Sequence, residues 1–177
     1  MQGLERAGIK YLQGEELASN QPKDAVEKFA AKVRLALGFH SSDSFKTHLA
    51  KLGGRIVSDT GFDWLDPTSG TIFVHGPQDF DIVLSSNTSR LRDRFTIAHE
   101  LGHYFLHSAQ GKQPMKANRK DSNRLEWEAN WFAAGFLMPR DEFRQEIERG
   151  LTNSELATHF AVSPAAVSIR RKSLGVD

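Results

Sequence analysis

The sequence predicts an α+β fold, a small and mostly antiparallel sheet framed by helices, on three observations. Apolar residues recur at helical spacing in the N-terminal third, short β-rich runs fill positions 55–87, and further helical patterns occupy the remainder. Pro22 can open the first helix, in which Val26, Phe29, Ala30, Val33 and Leu37 share a face until Gly38 stops it. A shorter helix fits Ser44 to Leu52, with Phe45, Leu49 and Leu52 on one side and Gly53-Gly54 closing it. The runs RIVSD, TIFVH and FDIVLSS, separated by turn-formers such as Asp66-Pro67-Thr68-Ser69-Gly70, read as three or four strands of one sheet. Ser89 caps a long helix through about His107, and the polar stretch 108–123 leads to another from about Arg124 to Met138, ended by Pro139. Asp141 to Arg149 is helical, and the tail beyond Leu151 reads as two short helices around a turn at Ala161 to Ser163, a helix-turn-helix-like pattern. The expected division is residues 1–53 as N-terminal helices packed on the core, 54–140 as the core, and 141–177 as the tail.

A chain of 177 residues, with 39% hydrophobic residues and 12 Phe, can bury a real core and suits one compact unit. It holds no cysteine, which excludes disulfides, thiolate zinc fingers and Cys nucleophiles. Any transition-metal site must then be built from His and carboxylates. No stretch approaches the roughly 18 apolar residues of a membrane span, and the first residues lack the apolar run of a signal peptide. Cytoplasmic residence without a membrane partner is the expectation. The net charge of +1 exerts no global pull toward nucleic acid, so the basic clusters Arg90/Arg92/Arg94 and Arg170/Arg171/Lys172 need local explanations.

The chemistry concentrates in His99-Glu100-Leu101-Gly102-His103. Two imidazoles one helical turn apart project from one face and can grip a single ion, while Glu100 lies beside them as a general base rather than a ligand. Apolar neighbours surround the motif on nearly every side, so its helix is expected to be buried, where an ionisable trio needs a cation as partner. Gly102 weakens a helix by roughly 1 kcal/mol relative to Ala, which points to a packing or functional reason for it. A catalytic zinc site takes a third protein ligand and keeps one position open. A His six residues after His103 would supply it in one known arrangement, but that position is Ala109. The helix around 124–138 offers two carboxylates. If Leu125, Ala129, Phe132, Ala133 and Phe136 mark its core face, Glu126 falls about 60° from the centre of that face and Glu128 about 100° away on the other side. This favours Glu126, with Glu128 as the alternative ligand or a solvated surface residue. Asn130 can orient a ligand or be a surface amide. His107 is read as a helix-end partner or a rim residue, because three histidines along a straight helix cannot all reach one tetrahedral ion. His40, His48, His75 and His159 default to ordinary surface or satisfied positions.

The blocks RFTIAHELGHYFLH (94–107) and EWEANWFAAGFLMP (126–139), in that order, resemble the ImmA/IrrE family of metallopeptidases. The likeness extends more loosely over about Gly54 to Gly175. It implies a zincin-like fold, an active-site helix carrying the HExxH motif, one Zn2+ held by His99, His103 and Glu126, and Glu100 as the base. Characterised members cut helix-turn-helix repressors and switch on stress-response or mobile-element genes. The resemblance therefore implies a zinc endopeptidase acting in trans on such a repressor, because the chain has room for neither the sensor-like domain nor the fused DNA-binding module of some relatives. The run Phe80 to Ser86 precedes the motif helix as an edge strand does in zincins. Ile82, Val83 and Leu84 are thus candidates to hold an extended peptide by strand addition, or else form a plain structural strand.

The rival reading is a DNA-binding or non-cleaving repressor-binding regulator with a structural zinc, since Leu156 to Ser163 followed by Pro164 and Val167 looks like a helix-turn-helix. Base readout is disfavoured because the second helix opens with Pro164, Ala165, Ala166 and Ser168 rather than Arg, Asn or Gln. Phosphate contact by Arg170, Arg171 and Lys172 remains open to it.

Overall fold

A computed structural model describes residues 6–13, 17–59, 70–86, 88–118 and 123–176. Most of the turn-forming run before Gly70 lies outside them. The described residues form seven α-helices and four strands: α1 (Lys23–Ala36), α2 (Phe45–Lys51), β1 (Gly54–Asp59), β2 (Thr71–Gly76), β3 (Asp79–Ser85), α3 (Arg90–Gly102), β4 (Met115–Asn118), α4 (Asn123–Leu137), α5 (Arg140–Glu148), α6 (Asn153–Phe160) and α7 (Pro164–Leu174). The helix starts follow local hydrogen-bond chemistry. The hydroxyls of Ser44, Ser89 and Ser163 accept from the amides of Lys46, Arg92 and Ala166, and Thr152 with Glu155 forms a reciprocal capping box at α6.

The sheet order is β1-β3-β2-β4, with β1 and β3 parallel and the other two pairs antiparallel. The expectation of a small, mostly antiparallel sheet holds, but β3 is interior. Ile82 and Val83 pair with Ile56 and Val57 on one side and with Ile72 and Thr71 on the other, and Leu84 pairs with Ser58. Their backbones are committed to neighbours, so Ile82, Val83 and Leu84 form no edge for a substrate strand. The edges are β1 and β4. Burial of Ile82, Val83 and Leu84 explains the continuous apolar run that makes β3 look like any strong strand in sequence. Strand β4 lies inside a stretch that reads as polar loop. Its backbone pairs with β2 while Met115 and Ala117 point into the core.

Helix α4 packs on α1 and α3, and its expected core face is fully buried at Leu125, Ala129, Phe132, Ala133 and Phe136. Two glycines set these contacts. A Cβ on Gly102 would lie 3.0 Å from the Ala129 Cα, which supplies the packing reason for a glycine in α3. A Cβ on Gly135 would lie 2.8 Å from both the Cα and the carbonyl oxygen of Glu27, main-chain atoms that cannot swing aside. Gly135→Ala is expected to push α1 off α4 and cost about 1–3 kcal/mol in urea unfolding, despite the higher helix propensity of alanine. A stabilised variant would show that the two helices separate freely.

The basic clusters break up in three dimensions. Arg94 is buried and donates to the carbonyls of Asp43 and Ser41, tying α3 to the loop before α2. Arg170 is 1% exposed, forms an ion pair with Glu27 at 2.8 Å and donates from Nε to the Met138 carbonyl. Only Arg171 and Lys172 of the second run reach the surface, which removes one of three groups from any phosphate-binding role. The remaining motif-free histidines are ordinary, as expected. His48 bonds to Asp43, His75 lies between Tyr11 and Asp81, and His159 bonds to Glu142.

Candidate metal centre and active site

Helix α3 carries His99 and His103 one turn apart, and both are buried, at 0% and 1% exposure. The close approach allowed by Gly102 brings α4 alongside and aims Glu126 between them. His99 Nε2 lies 3.1 Å from Glu126 Oε2, His103 Nε2 lies 3.3 Å from Glu126 Oε1, and the two Nε2 atoms are 3.2 Å apart. Ligands about 2.0–2.1 Å from a tetrahedral ion stand about 3.3–3.4 Å from one another, so this spacing fits a zinc ion. Without an ion the same contacts suit imidazole N–H groups donating to the carboxylate, and with one all three side chains can turn lone pairs toward it. Burial pushes the Glu126 carboxyl up, but the imidazoles of His103 and His99 outweigh it and hold it at about 2, so it stays ionised. The geometry selects Glu126 of the two candidate carboxylates.

Glu128 is elsewhere, and it is not a solvated surface residue. Its carboxylate is fully buried and accepts from His107 Nε2 at 2.9 Å, from the Ser19 amide and hydroxyl at 2.8 and 2.9 Å, and from Arg124 Nε at 2.8 Å. The angular estimate failed because this flank of α4 faces the segment before α1 rather than water. Burial raises the Glu128 carboxyl, and the donors from His107, Ser19 and Arg124 overcome this and hold it at about 2. His107 is no third imidazole ligand. The helix is not straight here: after Gly102 it widens into a π-helical turn over His103–His107, marked by the Ser108 amide donating to the His103 carbonyl at 3.1 Å. His107 Nδ1 thereby comes within 2.9 Å of His103 Nδ1. Burial pushes its pKa down, against the opposing pull of the Glu128 carboxylate.

Asn130 is the residue placed to orient His99. Its Oδ1 lies 3.0 Å from His99 Nδ1, a contact that suits a proton on that nitrogen and would free Nε2 for an ion. Glu100 is fully buried beside the imidazoles, and Gly70 closes over it: a Cβ there would lie 2.7 Å from Glu100 Oε1 and 2.4 Å from a Thr96 methyl. Gly70 and Ser19 are the two contributors that sequence reasoning missed. Gly70 reads as the last member of a turn cluster, and no pattern distinguishes Ser19. Next to the site, a trough of about 750 Å³ runs between α3, α4 and α7. Leu91, Trp127 and Ile169 line it and are 38%, 53% and 69% exposed, and Asn130 and Thr96 form its boundary with the imidazoles.

A His-Glu-x-x-His helix above a small mixed sheet, facing a carboxylate on a second helix, defines the class as a metallopeptidase-type α+β domain. The model of the IrrE N-terminal-like domain family, Peptidase_M78, matches residues 69–172, more than half of the chain, and the chain belongs to that family. No curated protein matches the chain. Among solved structures, a Mycobacterium tuberculosis transcriptional regulator matches with a TM-score of 0.58 and 20% identity, covering 88% of this chain and 48% of that one. The chain spans about half the length of that regulator, and the likeness is one of fold. No helix among the described residues is long and apolar enough to cross a membrane.

Proposed function

We infer that this chain is a zinc endopeptidase in which His99, His103 and Glu126 hold the ion and Glu100 is the general base. The observation that carries this reading is the cluster of the two Nε2 atoms, 3.2 Å apart, and the Glu126 carboxylate, whose oxygens Oε2 and Oε1 lie 3.1 and 3.3 Å from them, with Glu100 fully buried on the same helix. A bound zinc ion would supply Lewis acidity and bring the pKa of water at the site to about 7. Glu100 accepts a proton from the attacking water as its oxygen adds to the peptide carbonyl carbon. It then delivers that proton to the amide nitrogen, which leaves as an amine when the C–N bond breaks. The apolar packing around α3 and the cover of Gly70 keep other water from Glu100. The substrate class is a helix-turn-helix repressor cut in trans, a reading supported by the family match over residues 69–172. The protein is read as cytoplasmic, with residues 54–140 as its catalytic core.

Purified protein is expected to hold one zinc per chain, and Glu126→Ala to weaken zinc binding by at least about 100-fold in chelator competition. Incubation with repressors encoded beside it should yield two fragments by mass spectrometry, lost with chelator and regained with zinc. A zinc-loaded chain that binds such a repressor and leaves it whole would make it the non-cleaving regulator instead.

A further inference from the structure

One of the buried ionisable assemblies that the peptidase chemistry leaves unused lies directly behind the site. Glu128, His107 and Ser19 form a continuous hydrogen-bonded line that ends on a proposed metal ligand, and none of them reaches the triangle of donor atoms. Each link has a defined direction. Glu128 already accepts from the Ser19 amide and hydroxyl and from Arg124 Nε, a set of donors only, so His107 carries its proton on Nε2 and donates to Oε2 at 2.9 Å. Two ring nitrogens 2.9 Å apart need one donor and one acceptor, and with its proton on Nε2 His107 presents Nδ1 to His103 Nδ1 as the acceptor. His103 must donate there, which leaves its Nε2 lone pair toward Glu126 and His99. The opposite end is anchored by chain from before α1, where the Ser19 amide and hydroxyl grip the same Oε2 and Arg124 donates to the Gln21 carbonyl. The π-helical turn is what makes the line continuous, since it carries His107 Nδ1 to the back of His103.

Resting on the metal reading above, we propose that Glu128 and His107 are positioning residues for the zinc site: they fix His103 as the Nδ1-protonated tautomer, and Ser19 ties that device to the N-terminal segment. His99 has a short counterpart in Asn130, so the two imidazoles are set by separate routes, one near the surface and one fully buried.

The test begins with metal-free, 15N-labelled protein at about pH 8, where unperturbed imidazoles are neutral. Long-range 1H–15N spectra are expected to show His103 protonated on Nδ1 and His107 on Nε2. A wild-type His103 protonated on Nε2 overturns the proposal without any variant. Zinc affinity in chelator competition is expected to fall about 10–100-fold in His107→Phe, and to stay within about threefold of wild type in His107→Gln. The Gln amide can accept from His103 through its oxygen and donate to Glu128 through its nitrogen, whereas Phe can do neither. Unchanged affinity in a folded His107→Phe protein overturns the proposal, and so does an equal loss in His107→Gln, which would assign the effect to packing alone. Both readouts need no peptide substrate, so a chain that proved unable to cut peptides would leave them standing.

Discussion

Glu100→Gln is expected to slow peptide cleavage by about 10²–10⁴-fold while the protein keeps its zinc. Glutamine preserves the shape of a side chain that is fully buried and closely covered by Gly70, so there is no cavity and no clash to repair. It can neither take a proton from water nor pass one to the leaving amine, the two tasks the proposed mechanism gives that position. His99, His103 and Glu126 are untouched, and metal content should stay at one ion per chain. Single-turnover cleavage of a repressor, measured beside metal analysis of the same sample, separates the two effects. A Gln variant cutting within about threefold of wild type would place the base elsewhere.

The second large effect is on stability. Arg170→Ala is expected to cost about 3–5 kcal/mol in urea unfolding and to lower Tm by roughly 6–20 °C for a chain of this size. Arg170 and Glu27 are 1% and 3% exposed and 2.8 Å apart, so removing the guanidinium strands a carboxylate in the core. Lys23 and Arg140, at 3.8 and 3.4 Å from Glu27, soften the loss and favour the lower part of that range. The Met138 carbonyl also loses its donor. A paired Glu27→Leu, Arg170→Met replacement should recover most of the stability, because an apolar pair of similar volume avoids the desolvation of two charges. A loss below about 1 kcal/mol for Arg170→Ala would mean that the C-terminal helices are held chiefly by apolar contacts around Leu156, Phe160 and Val167.

How far the sequence could be read depended on whether a feature is local. The His99 to His103 spacing, the Ser44 and Ser89 caps and the apolar face of α4 are set by residues within a turn or two, and periodicity carries them. Helical angle favours Glu126 over Glu128, and the structure brings Glu126 to the two imidazoles because the core face of α4 is continuous. The same reasoning misjudged Glu128, since an angle says nothing of a distant segment such as Ser19 covering that flank. The π-helical turn over His103–His107 is not legible in sequence because no residue type marks it. Strand β3 reads as a strand with no sign of its place in the sheet, which pairing with β1 and β2 decides. Arg170 looks like part of a basic patch, and only the fold reveals Glu27 beside it.

The trough between α3, α4 and α7 also gives the molecule an optical handle. Two of its three tryptophans, Trp127 and Trp131, line that surface, and Trp127 stands more than half in water. Anything that seats against the trough moves an indole out of solvent, shifting its emission to shorter wavelength and shielding it from iodide. Occupancy beside the candidate catalytic centre can therefore be followed in unlabelled protein, in real time and before any bond is cut.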